Sequence, residues 1–193
     1  MKKILFINAC PRPDSRTSDL AQEVLKRADG EINEVKLYDI SLPVLDVEGL
    51  KKREFAAQSR DFSDPSFDLA KQFAMADTVV IAAPYWDLMF PAVLKCYLEN
   101  ITVAGITFRY SQKGIPESLC AAKTLCYITT SGGFIGPNDF GFSYVNALAK
   151  NFFGIAEVYR FAAEGLDIFG ADVDAILEKA KDSVKAALFS ERN

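Results

Sequence analysis

The chain has 193 residues, half of them hydrophobic and a quarter charged, enough to bury one sizeable core. Its net charge of −4 carries no basic footprint, which argues against nucleic acid or an anionic membrane as partners. With no histidine, Ser-His and Cys-His nucleophilic pairs and most zinc sites are excluded, so any chemistry rests on carboxylates, a cysteine or a bound cofactor.

Met1-Lys2-Lys3 followed by Ile4-Leu5-Phe6-Ile7 imitates a secretory signal, but the apolar run is short and Asn8, Pro11 and Arg12 break it. Nothing approaches the ~20 apolar residues of a membrane span, so a cytoplasmic protein with no membrane partner is expected. Cys10, Cys96, Cys120 and Cys126 make no C-x-x-C pair and no metal spacing; they read as free thiols, and no metal is expected.

Ile4 to Ile7 reads as a fully buried parallel strand. From Thr17 the spacing of Leu20, Ala21, Val24, Leu25 and Ala28 is one face of a helix, which Asp29-Gly30 would stop. Glu34 to Tyr38 alternates like a second strand, and Glu48 to Gln58 reads as a short helix. Ser63-Asp64-Pro65 looks like a cap with proline at the first helical position, opening a helix to Met75. Thr78 to Ala82 is the most strand-like stretch, and a helix from Pro91 to Asn100 follows. After Gly105 to Tyr110 and a loop come a strand at Thr124 to Ile128 and a helix near Phe142 to Phe153. A fifth strand near Ala156 to Ala162 and a helix from Val173 to Phe189 close the chain.

Strand and helix alternate throughout, with no repeat or linker. The pattern predicts one doubly wound α/β domain over 1–193, a five-stranded parallel sheet with helices on both faces. Ligands in such folds sit outside the carboxyl ends of the strands, at the switch in strand order. Three loops are expected there: Asn8 to Thr17, Ala83 to Leu88 and Thr129 to Gly136.

The first loop, "ACPRPDSRTSDL", allows two phosphate readings. Cys10 and Arg16 have the C-x5-R spacing of a cysteine phosphatase. That chemistry needs a nest of backbone N–H groups around the phosphate, yet Pro11 and Pro13 carry none and the span has no glycine. The alternative is a cradle for a cofactor's terminal phosphate, made by Ser15, Arg16, Thr17 and Ser18 at a helix N-terminus. Simple capping needs one hydroxyl, so three with an arginine favour a bound phosphate. Neither GxGxxG nor GK[ST] is present in this loop, which disfavours a Rossmann dinucleotide or a nucleoside triphosphate.

In the second loop Pro84 and Pro91 bracket an aromatic and apolar cluster of Tyr85, Trp86, Leu88, Met89 and Phe90, which could equally be core. In the third, "TTSGGFIG", paired glycines permit close backbone approach or a turn, and Pro137 and Asn138 follow where a dinucleotide fingerprint would begin a helix. A phosphate end, an aromatic wall and a glycine edge at one switch point match flavin mononucleotide (FMN).

The stretches "NACPRPDSRTSDLA", "APYWDLMFPAVLKCYLENITVAGITFRY" and "TTSGGF" resemble those of the flavodoxin-like FMN-dependent NAD(P)H:quinone oxidoreductases and azoreductases over nearly the whole length. The resemblance implies that Cys10, Ser15, Arg16 and Thr17 hold the FMN phosphate. It implies that Pro84, Tyr85, Trp86, Asp87 and Leu88 line the isoalloxazine, and that Thr130, Ser131, Gly132 and Gly133 meet its pyrimidine edge. It further implies a cytosolic homodimer whose flavin takes a hydride from NAD(P)H at N5 and passes it to a quinone or azo compound in a ping-pong cycle. In that scheme no side chain is a catalytic acid, base or nucleophile. Trp86, Phe108, Tyr110 and Phe134 are candidate walls for nicotinamide and acceptor, with core packing the competing explanation. The departures from the family pattern are Cys10 for a common serine, Trp86-Asp87-Leu88 for Tyr-Asn-Phe, and Phe134 where some members carry histidine. A non-enzymatic flavodoxin-type carrier is the main rival, although carriers favour a more acidic face than a net −4 suggests.

Overall fold

The structure, a computed structural model, describes residues 1–137 and 139–189; Asn138, cited above beside Pro137, lies outside the described residues. Its strands are β1 (Lys3–Asn8), β2 (Glu31–Lys36), β3 (Thr78–Ala82), β4 (Phe108–Tyr110), β5 (Pro116–Ser118), β6 (Thr124–Thr130) and β7 (Glu157–Ala163). Its α-helices are α1 (Arg16–Leu25), α2 (Val47–Ser59), α3 (Asp68–Ala74), α4 (Ala92–Ile101), α5 (Phe140–Asn151) and α6 (Val173–Phe189).

Five strands form one parallel sheet in the order β2-β1-β3-β6-β7. This is the flavodoxin-type winding, whose order reverses between β1 and β3. The register sets Asn8 beside Ala82, Ala82 beside Ile128, and Thr130 beside Ala163, so the carboxyl ends share one edge. Both faces are covered. Ile4 and Phe6 pack with Leu20, Val24 and Val184 under α1 and α6, whereas Leu5 and Ile7 pack with Phe73, Leu94 and Val145 under α3, α4 and α5. Two covered faces explain why these strands read as continuous apolar runs. Leu20, on the inner stripe of α1, is fully buried, and truncating it to alanine should cost about 2–5 kcal/mol.

The predicted elements correspond closely, with three instructive differences. α1 ends at Leu25, and Gly30 serves the next strand instead of stopping the helix: a Cβ there would lie 2.3 Å from the Lys2 carbonyl oxygen. Freed of a side chain, the backbone lets the Glu31 N–H donate to Lys2 O at 2.9 Å, so β2 starts three residues earlier than its alternation suggests. The Ser63-Asp64-Pro65 signal caps a short 3-10 turn at Pro65–Phe67, with Asp64 accepting from the Ser66 N–H, before α3 begins. Finally, the loop after Tyr110 contains β5, which pairs antiparallel with β4 as a small hairpin tied by Arg109 and Glu117 at 2.9 Å. With only three residues, beginning at proline, that strand leaves no period to detect.

Candidate functional site

A cleft of about 530 Å³ opens at the carboxyl edge, over the β1–β3 reversal. Three loops and the segment after β7 build it.

Its first wall is the start of α1. Ser15 is the N-cap, and its Oγ accepts the Ser18 N–H at 3.3 Å. The N–H groups of Arg16 and Thr17 have no acceptor inside the helix, and they sit at its positive end. Thr17 is buried; its Oγ1 shares a hydrogen bond of 2.6 Å with Thr130 Oγ1, which fastens α1 to β6. Arg16 reaches the other way: Nη2 donates to Asp167 Oδ1 at 2.9 Å, and Nη1 to the Leu166 carbonyl at 3.4 Å.

The second wall follows β3. The Tyr85 N–H donates to Thr130 O at 3.0 Å, keeping the chain beside β6. Trp86 and Met89 then exchange two backbone hydrogen bonds of 2.8 Å around Asp87 and Leu88. Both central residues have positive φ, 50° and 68°, the dihedral pattern of a type I′ turn, which normally favours Asn, Asp or Gly. Leucine there carries backbone strain, held between Pro84 and Pro91.

The third wall is Thr130-Ser131-Gly132. Ser131 Oγ donates to Gly133 O at 2.6 Å. The N–H groups of Gly165, Leu166 and Asp167 donate to the carbonyls of Gly133, Ser131 and Gly132, which locks this loop to the one after β7. Further out, Arg160 bridges Asp139 and Glu164, and Glu164 accepts the Ile135 N–H at 3.0 Å. Those two carboxylates hold the Arg160 guanidinium in its charged form against the burial that disfavours it.

Of the residues singled out in the sequence, Ser15, Arg16, Thr17, Pro84, Tyr85, Trp86, Thr130, Ser131 and Gly132 line this one cleft. Asp87, Leu88 and Gly133 belong to the same loops but lie outside its lining. Phe134 is 78% exposed, with its ring edge 3.4 Å from where a Cβ on Gly165 would stand. Phe108 and Tyr110 are not at the cleft either: Phe108 is buried in the hairpin against Phe152, and Tyr110 lies exposed beside it.

Cys10 lies outside the cleft's lining, beside Ser15. Its Sγ lies 3.7 Å from the Ala82 carbonyl and its N–H donates to Asn8 Oδ1. Burial pushes its thiol pKa up, against a lowering contribution from the Ser15 hydroxyl. A phosphatase nucleophile requires the opposite shift. Among the described residues no cluster of His, Cys, Asp or Glu could hold a metal ion.

Sequence reasoning missed Pro11, Arg12, Asp14 and Asp167 in the lining. Asp167 could have been found, since it follows a strand end as the other three loops do.

The family model described as a flavodoxin-like fold matches residues 2–188. An FMN-dependent NADH:quinone oxidoreductase of Clostridium beijerinckii is 37% identical over 194 residues, covering 96% of this chain and 97% of that protein. One from Coprothermobacter proteolyticus is 34% identical over 198 residues, covering 97% and 96% respectively. Among solved structures, an azoreductase from Bacillus anthracis superposes with a TM-score of 0.85 at 26% identity, covering 97% of this chain and 99% of that one. An FMN-dependent NADH-azoreductase of the same species, solved in complex with FMN, superposes at 0.82 with 26% identity and full coverage of both chains. The sheet order, the cleft at its reversal and the family match agree: this chain belongs to the flavodoxin-like fold family.

Proposed function

We propose that this chain binds FMN and works as an NADH:quinone oxidoreductase, one flavodoxin-like unit over 1–193. The observation that carries the reading is the convergence of the α1 N-terminus, the Tyr85-Trp86 segment and the Thr130–Gly132 segment on one cleft. The donor set suits the cofactor. Backbone N–H groups, the Ser15 hydroxyl and a guanidinium suit a phosphate dianion at a helix N-terminus. Trp86, 41% exposed on the cleft wall, suits a flat ring. The relatives named for FMN and NADH, at 34% and 37% identity, support the same assignment.

FMN, when bound, would supply hydride-transfer chemistry between NAD(P)H and the acceptor. The chain's own residues bind and orient. Ser15, Arg16 and the first turn of α1 hold the phosphate end. Pro84, Tyr85 and Trp86 form a stiff wall, since Tyr85 is pinned to Thr130 and the turn beyond is closed by paired hydrogen bonds. Ser131 and Gly132, clamped to the β7 loop, present a fixed backbone edge. A histidine-free chain needs no acid, base or nucleophile for this work.

The reading extends to a ping-pong cycle through one opening, to azo or nitroaromatic acceptors beside quinones, to NADPH beside NADH, and to a cytoplasmic homodimer. No helix among the described residues is long and apolar enough to cross a membrane. In the homodimer, Tyr110 on the exposed hairpin would approach the partner's cleft. Titration with FMN and riboflavin, followed by NADH-driven quinone reduction, tests the proposal. FMN preference with turnover is expected; equal affinity for riboflavin would remove the phosphate cradle from it.

A further inference from the structure

We propose that Asp167 sets how selectively this cleft takes a phosphate-bearing flavin, by competing with the ligand phosphate for the Arg16 guanidinium. The inference rests on the FMN reading and deepens it.

Arg16 is the one cation of the α1 first turn, and it is already engaged from the far side of the cleft. Asp167 Oδ1 accepts from Nη2 at 2.9 Å and the Leu166 carbonyl from Nη1 at 3.4 Å. The backbone of Asp167 is held as well. Its N–H donates to Gly132 O at 2.9 Å, and a Cβ on Gly132 would lie 2.4 Å from Asp167 Oδ2. A side chain at 132 would therefore have to push that carboxylate aside, so the pair sits at the junction of two loops. Arg16, Asp167, Ser15 and Thr17 all line the same cleft.

A guanidinium offers five N–H donors in a rigid fork, so an arriving phosphate must share Arg16 or displace Asp167 from it. Either way the carboxylate takes from the phosphate part of its interaction with that guanidinium. The side chains are 39% and 65% exposed, so the effect is that of a surface pair: modest, and screened by salt. Asparagine at 167 keeps a carbonyl oxygen for Arg16 and removes the charge. Asp167→Asn is therefore expected to tighten FMN about two- to fivefold at low ionic strength and to leave riboflavin unchanged. The gain should shrink in about 1 M salt and vanish in an Arg16→Ala background, because it acts through that guanidinium.

The test is a set of FMN and riboflavin titrations of wild type, Asp167→Asn, Asp167→Ser, Arg16→Ala and the Arg16→Ala/Asp167→Asn double variant, at low and high salt. The serine variant serves if the asparagine protein does not fold; tighter FMN in it counts as support. FMN tightened with riboflavin unmoved supports the inference. Unchanged or weakened FMN binding, or an equal shift of both flavins, overturns it while leaving the FMN reading intact. Wild-type protein that binds neither flavin overturns both.

Discussion

Thr17 and Thr130 share a hydroxyl–hydroxyl hydrogen bond of 2.6 Å that joins the first turn of α1 to the last residue of β6. Both side chains are buried, so the bond fixes the distance between two walls of the cleft. Thr17→Val leaves the Thr130 hydroxyl without its partner and is expected to cost about 1–3 kcal/mol. Replacing both threonines should cost less than the sum of the single changes, by a coupling of about 0.5–3 kcal/mol. Urea denaturation of the two single variants and the double variant measures this; strict additivity would mean the two hydroxyls do not depend on each other.

The Asp87-Leu88 turn should respond to backbone relief. Leu88 has φ 68° and is half exposed, so little burial is lost on removing its side chain. Left-handed strain of about 1–2 kcal/mol is relieved by glycine, and the added entropy of the unfolded chain offsets about half of it. Leu88→Gly, which creates the Asp-Gly pair that type I′ turns favour, should raise the unfolding free energy by about 0.5–1 kcal/mol and with it the urea midpoint. Leu88→Val should lower it, since a β-branched residue tolerates positive φ poorly.

Cys10→Ser separates the two phosphate readings of the first loop. The thiol lies 3.7 Å from the Ala82 carbonyl, and Cys10 is not among the residues lining the cleft. FMN affinity should then stay within about twofold of wild type, the scale of a substitution away from the ligand. NADH oxidation should persist. Hydrolysis of p-nitrophenyl phosphate by wild type, lost in Cys10→Ser, would restore the phosphatase reading.

Cys120 should leave a mark on alkaline stability. Burial pushes its thiol from 9.0 up to about 11, with Ser118 lowering it slightly. The folded pKa lies above the unfolded one, so its contribution is complete below the unfolded value of 9.0 and is lost as pH rises through about 11. Between those limits Cys120→Ala should show a flatter decline in unfolding free energy than wild type. An equal slope would mean the thiol ionises as freely in the fold as outside it.

The sheet was legible because both its faces are covered: runs such as Thr78 to Ala82 stay apolar at every position, and the helices between them keep a clean stripe. The cleft-lining residues at the start of α1 were legible too, since hydroxyls crowd a helix start only where something is to be bound or capped. Direction was not legible. Cys10 and Ser15 share a loop, yet of the two only Ser15 lines the cleft, the half-buried Cys10 thiol lying behind it within 3.7 Å of the Ala82 carbonyl. Phe108 read equally as ligand wall or core, and it is buried against Phe152, a contact between segments 44 residues apart that no local period can reveal. Asp167 was missed for the same reason: its partner Arg16 stands 151 residues away.

The most direct test is one anaerobic absorbance series on the purified protein loaded with FMN. The expected result is a bound flavin spectrum that bleaches on adding NADH with no partner reductase and returns on adding a simple quinone. A protein that binds no flavin, or that binds FMN and keeps its oxidised spectrum in NADH, would contradict the oxidoreductase assignment.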